Sequence, residues 1–142
     1  MSISARNVFP GTVSAVVEGP IHAEVEITIS GGDRLVATVT TASVAALGLK
    51  AGVSAVAVIK APSVTLVAGE SPWRFSARNQ LKGTVAAVVG GAVNSQVKVA
   101  LPGGAVLSAV VTNDAVADLA LAAGVPVVAM FKAGQVVVGV PA

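Results

Sequence analysis

Two cations recur at the same spacing in this chain. Arg6 precedes Lys60 and Arg78 precedes Lys132, and a shift of 72 residues lays the first pair on the second. Each Arg sits in the same tetrapeptide, Ser4-Ala5-Arg6-Asn7 and Ser76-Ala77-Arg78-Asn79. A guanidinium offers a planar fork of donors and an ammonium a point charge. Ser4, Asn7 and Thr40 can add neutral hydrogen bonds, as can Ser76, Asn79 and Thr112 in the second copy, and backbone N–H groups follow at the start of a short helix after Thr40. The acids do not recur: Glu18 faces Gly90, Glu24 faces Gln96, Glu26 faces Lys98, Asp33 faces Ala105, Glu70 faces Ala142, Asp114 faces Ala42 and Asp118 faces Ala46. Donors without a shared carboxylate suit a fully deprotonated tetrahedral oxyanion. A phosphate site would also need an acceptor, because phosphate keeps a proton near neutral pH. Four to six converging donors at about 1.5–3 kcal/mol each would hold such a dianion at micromolar affinity or better. The residues alone are equally compatible with Arg6 and Lys60 as solvated strand ends.

The composition narrows the rest. Only 11% of the 142 residues are charged, against about 25% in an ordinary soluble domain, and 54% are apolar. No apolar run approaches the roughly 18–20 residues of a membrane span, so the chain is expected to be soluble and to bury its surplus apolar surface between subunits. Cysteine is absent, which excludes disulfides, thiolate metal sites and a cysteine nucleophile. The N-terminal residues show neither a basic nor an apolar leader region, and a cytoplasmic location is the default. A net charge of +2 with scattered Lys and Arg does not make a polyanion-binding surface.

These residues must be positioned by a duplicated module. Residues 3–70 align without a gap on 75–142, with roughly 30 identities in about 68 pairs. The join around Gly69-Glu70-Ser71-Pro72-Trp73 has linker composition, giving expected units at 1–69 and 74–142 with 70–73 between them. Within a copy the apolar period is two: Val25, Ile27 and Ile29 alternate with Glu24, Glu26 and Thr28, then Gly31-Gly32-Asp33 turns the chain into Leu35, Ala37 and Val39. Gly11–Val17 reads as the preceding strand. Thr40 to Ser43 offers helix caps, Gly52 closes a short helix, and the runs Val53–Lys60 and Val64–Val67 complete five strands. Five strands with a helix between the third and fourth is the order of an OB-like barrel, so two tandem OB-like five-stranded β-barrels, each with one short helix between strands 3 and 4, are expected. A barrel of about 65 residues is marginal alone.

Ser-Ala-Arg-Asn followed by Gly-Thr-Val at 4–13 and 76–85, with Lys-Ala at 60–61 and 132–133, resembles the molbindin (Mop) family of TOBE-type domains over essentially the whole chain. The resemblance implies non-catalytic binding of molybdate or tungstate for molybdenum storage and homeostasis in the cytoplasm. It also implies assembly as a homotrimer, no organic cofactor, and oxyanion sites lying between domains, where one ligand takes its Arg from one copy and its Lys from another. It assigns ligand contacts to Ser4, Arg6, Thr40, Ser43, Lys60 and Ala61, and to Ser76, Arg78, Thr112, Lys132 and Ala133. Ala5, Asn7, Ala77 and Asn79 are counted with the motifs that contain them. Ala115 stands where the first copy has Ser43, so the two classes of site differ by one hydroxyl. A second class of site near a symmetry axis falls on the turns carrying Gly19 and His22, and Gly91 and Asn94, although a lone His at a turn is more often simply solvated.

Other functions fit less well. One His, no Cys and no shared acid leave no nucleophile, base and orienting group for catalysis. A binder of single-stranded nucleic acid needs stacking aromatics along a basic groove, and Tyr is absent. A ligand-free oligomerisation module, with the tetrapeptide as a structural corner, remains the main alternative.

Overall fold

The computed structural model describes residues 3–142. In the first copy, β1 (Asn7–Glu18), β2 (His22–Ile29) and β3 (Arg34–Thr40) form an antiparallel meander. Helix α1 (Thr41–Leu47) follows, then β4 (Ser54–Ile59), a 3-10 turn at Ala61–Ser63 and β5 (Thr65–Ala68). The second copy repeats the order with β6 (Asn79–Gly90), β7 (Asn94–Ala100), β8 (Val106–Thr112), α2 (Asn113–Asp118), β9 (Pro126–Phe131), a 3-10 turn at Ala133–Gln135 and β10 (Val137–Gly139). Side-chain alternation produces the strands as expected: along β2, Ala23, Val25, Ile27 and Ile29 are buried and the residues between them are not. β1 starts at Asn7 rather than Gly11, and a register shift between Val13 and Ala15 marks a bulge that bends it. β6 has the equivalent shift between Val85 and Ala87.

The sheets do not follow the copies. β5 pairs with β9, Leu66 opposite Ala129, and β10 pairs with β4, Val138 opposite Ala57. The strand orders are therefore β10-β4-β1-β2-β3 and β5-β9-β6-β7-β8. Each copy completes the other's sheet with its last strand. The apolar cores merge in consequence, and Val13, Val25 and Ile27 share one cluster with Val85, Val97 and Phe131.

The expected pair of OB-like five-stranded barrels is corrected by this topology. Both sheets are open antiparallel sheets carrying one α-helix each; the first curls only to a half-barrel and the second does not close. Closing a barrel requires the last strand to hydrogen-bond the third strand as well as the fourth. β10 and β5 span three and four residues, too few for two ladders, and the third strand's edge is already occupied. The Asn79 side chain accepts from the Val36 N–H and donates to the Val36 carbonyl, both at 2.8 Å. Asn7 does the same at Ser108 of β8, at 2.7 and 2.8 Å. A primary amide has the one donor face and one acceptor face that a strand neighbour would present, so on each edge a side chain replaces backbone pairing. The halves also touch at their β2–β3 and β7–β8 turns. A Cβ at Gly103 would lie 2.6 Å from the Gly31 carbonyl oxygen, and the Gly103 N–H donates to the Asp33 carboxylate at 3.1 Å.

Candidate functional site

Arg6 immediately precedes β1 and Lys60 immediately follows β4. Because Asn7 lies opposite Ile59 in the antiparallel ladder, the residues flanking that pair reach one end of the sheet together. Ser4, Ala5, Arg6, Lys60, Ala61 and Pro62 line an open cleft of about 310 Å³, with Val110 of β8 as its facing wall. Arg6 thus meets the Lys of its own copy, and the other copy supplies the wall. Ser4, Arg6 and Lys60 are exposed and Ala61 is buried. Thr112 sits two residues beyond Val110 on the same face of β8, about 7 Å further along the strand. The cleft and Thr112 therefore share a surface that crosses from one copy to the other.

The second copy repeats the construction imperfectly. Asn79 lies opposite Phe131, and Ser76, Ala77 and Lys132 line a cleft of about 190 Å³ with Ser63 and Thr65 of the first copy. Ala133 is buried directly after Lys132. Arg78 does not line this cleft. Its Nε donates to Glu24 Oε1 at 3.3 Å, an ion pair between half-exposed side chains. Among the described residues the only other ion pair is Arg34–Glu26 at 3.9 Å, so Arg6, Lys60 and Lys132 form none. Among the described residues no three of His, Asp or Glu cluster as metal ligands.

The remaining expected residues fall in three places. Asn7 and Asn79 are 1% and 2% exposed and spend both amide atoms on the opposite half, so they hold the adjacent Arg in place and face no cleft. Thr40 and Thr112 cap α1 and α2. Thr40 Oγ1 accepts from the Ser43 N–H at 3.1 Å and donates to Ser43 Oγ at 2.9 Å, while Thr112 accepts from the Ala115 N–H at 3.1 Å and has no hydroxyl partner there. Gly19, His22, Gly91 and Asn94 shape the β1–β2 and β6–β7 turns and line neither cleft; His22 lies opposite Thr40 and Asn94 opposite Thr112 in the ladders. The Gly19 N–H donates to the His22 carbonyl at 2.8 Å, and the Gly19 and Gly91 carbonyls accept from Thr41 Oγ1 and Asn113 Nδ2 at 3.1 and 2.9 Å.

Two participants were missed in the sequence. Val110 gives no chemical signal, being one apolar strand residue among many. Glu24 gives one: it is the position at which an acid in the first copy is an isosteric amide, Gln96, in the second.

The TOBE domain model matches this chain twice, at residues 3–66 and 76–138. The chain is 46% identical to the molybdenum transport protein ModE of Herbaspirillum seropedicae over 99% of its own length and 52% of that protein's. It is 41% identical to the molybdenum-pterin-binding protein MopA of Rhodobacter capsulatus, again over 99% of this chain and 53% of the relative. The chain spans about half the length of these curated relatives. Among solved structures, the cytoplasmic molybdate-binding protein ModG, crystallised with molybdate bound, is 52% identical and superposes with a TM-score of 0.94, covering 99% of this chain and 100% of that one. Two matched modules in tandem, each with its Ser-Ala-Arg-Asn entry strand and its Lys-Ala turn, place this chain in the Mop/TOBE-domain family.

Proposed function

We propose that the protein binds molybdate, and tungstate with it, without catalysing a reaction, and serves intracellular molybdenum storage and homeostasis in the cytoplasm. The observation that carries this reading is the Arg6–Lys60 cleft, which presents two cations and a hydroxyl and is lined by no carboxylate. Donors alone favour an oxyanion with no proton to give. The ligand shell is drawn from Ser4, Arg6, Lys60, the backbone N–H of Ala61 and Thr112, with Ser76, Arg78, Lys132, Ala133, Thr40 and Ser43 as the counterpart set.

The working form is a homotrimer with its sites completed between chains. The low charge content supports this, as do Val17, Ile21, Val89 and Val93, which stand 67%, 70%, 54% and 72% exposed around the β1–β2 and β6–β7 turns. Nucleic acid and membrane are not among the partners proposed.

Isothermal titration with molybdate, tungstate, sulfate and phosphate tests the reading. Molybdate and tungstate are expected to bind at micromolar concentration or below, and phosphate not to compete. Arg6→Ala removes a charge-assisted hydrogen bond and should weaken molybdate binding by roughly 10- to 100-fold. Absence of heat with molybdate and tungstate at millimolar concentration overturns the proposal.

A further inference from the structure

We propose that Glu24 makes the two anion sites unequal, by neutralising Arg78 in one while the equivalent position, Gln96, leaves Arg6 unopposed in the other. This inference rests on the oxyanion-binding reading above and adds to it a residue that sets relative affinity.

The two strand edges are built on the same plan, with an Asn clasp on the third strand and the Glu24 or Gln96 position on the strand beside it. Asn79 fixes the β3 edge at Val36, and Glu24 of β2 lies opposite Thr38 on the same strand, so its carboxylate comes within 3.3 Å of the Arg78 Nε. In the other half, Asn7 fixes the β8 edge at Ser108, and Gln96 of β7 lies opposite Val110, the residue that walls the Arg6 cleft. Gln96 has turned to Ser108, donating from Nε2 to its Oγ at 3.2 Å. The framework thus carries a side chain of the same length at equivalent places, charged and paired with Arg78 on one side, neutral and turned away to Ser108 on the other.

The charge difference acts twice on an arriving dianion. At Arg78 the anion must displace a carboxylate that already accepts from the guanidinium, and whatever new position Glu24 takes, its negative charge stays near the anion. Both effects are moderated by solvent, because the Arg78 and Glu24 side chains are 58% and 45% exposed, and exposed pairs are weak. The Arg6 site is therefore the tighter one, and it fills first as anion is added. Arg78 is left as a reserve that loads at higher concentration, with Glu24 holding the empty guanidinium in place meanwhile.

Reciprocal exchange of the two residues provides the test, in full-length protein with sodium molybdate as the probe. In an Arg6→Ala background, which isolates the Arg78 site, Glu24→Gln should tighten molybdate binding about fivefold. In an Arg78→Ala background, Gln96→Glu should weaken the Arg6 site by a similar factor. Both substitutions install the residue that the other copy already carries at that place, so folding should be retained, and thermal denaturation without anion checks it. Molybdate binding that neither exchange moves, in variants that stay folded, overturns the role of Glu24 and leaves the binding reading standing. Absence of molybdate binding in the unmodified protein overturns both.

Discussion

Asn7 and Asn79 do the same work in the two halves, whereas Glu24 and Gln96, delivered to equivalent places, do different work. The amides are buried at the crossing of the copies and close off a strand edge whose N–H and carbonyl would otherwise be left without partners. A change there breaks the join between halves. Glu24 sits on the half-exposed rim, where exchanging a carboxylate for an amide alters the field at one Arg and nothing in the packing. The duplication therefore keeps its architecture at buried positions and is free to specialise at exposed ones. Ser43 and Ala115 repeat the lesson: the cap acceptor, Thr40 or Thr112, is kept, and the second hydroxyl is not.

The most severe way to break the comparison is to separate the halves. Residues 1–72 alone contain β1 to β4 and a β5 that has no β9 to pair with, and the free edge of β4 has lost β10. Val136 and Val138, which are buried in the shared core, are lost as well. The fragment is expected to be unfolded as a monomer, or to fold only as a dimer in which each chain gives its β5 to the other. Light scattering with circular dichroism distinguishes these outcomes. A folded monomer of 1–72 would show that strand exchange is dispensable.

That exchange could not be read from the sequence, for a reason visible in the ladders. β10 pairs with Val56 and Ala57 of β4, and β5 pairs with Val128 and Ala129 of β9, which are the same residue types at equivalent places. Short apolar strands whose partners differ only as Val58 does from Met130 carry little information about which copy they join. Within a copy the signals were strong, because Glu24, Glu26 and Thr28 between buried neighbours fix the face of β2, and the paired Gly residues fix its turn. The recurrence of Arg and Lys at one spacing was legible because it occurs twice, but only Arg6 and Lys60 line one cleft, while Arg78 turns to Glu24. Whether the Lys came from the same copy depended on the β1–β4 ladder, a long-range contact. The clasp role of Asn7 and Asn79 was not legible because their partners lie 101 and 43 residues away, and proximity to Arg in sequence was the only clue available.

The amide clasps sharpen the comparison at the next level of effect. Asn7→Leu and Asn79→Leu each remove two hydrogen bonds and leave a backbone N–H and carbonyl without partners, an expected loss of about 2–4 kcal/mol. The two should not be equal. Asn7 bonds at Ser108, which is buried, whereas Val36 is half-buried and can recover some bonding from water. Urea denaturation should therefore place Asn7→Leu as the more damaging change. Equal midpoints, or a larger loss at Asn79, would mean that burial of the strand edge does not set the cost.

The smallest effect concerns the helix ends, where the second copy carries a flaw that the first lacks. Gly48 ends α1 with φ 63° and ψ 39°, and the Leu49 N–H donates to the Val44 carbonyl at 3.0 Å. Ala120 takes the same place after α2 at φ 50°, and the Leu121 N–H donates to the Val116 carbonyl at 3.0 Å. The hydrogen bonds match, but a Cβ in the left-handed region costs about 1 kcal/mol, which a glycine avoids. Ala120→Gly should therefore stabilise the protein and Gly48→Ala should destabilise it, each by about 2–4 °C in melting temperature. Opposite signs from the same pair of residues, exchanged between equivalent sites, would tie the effect to backbone conformation rather than to helix propensity, which favours Ala at both. A destabilised Ala120→Gly would reverse that assignment.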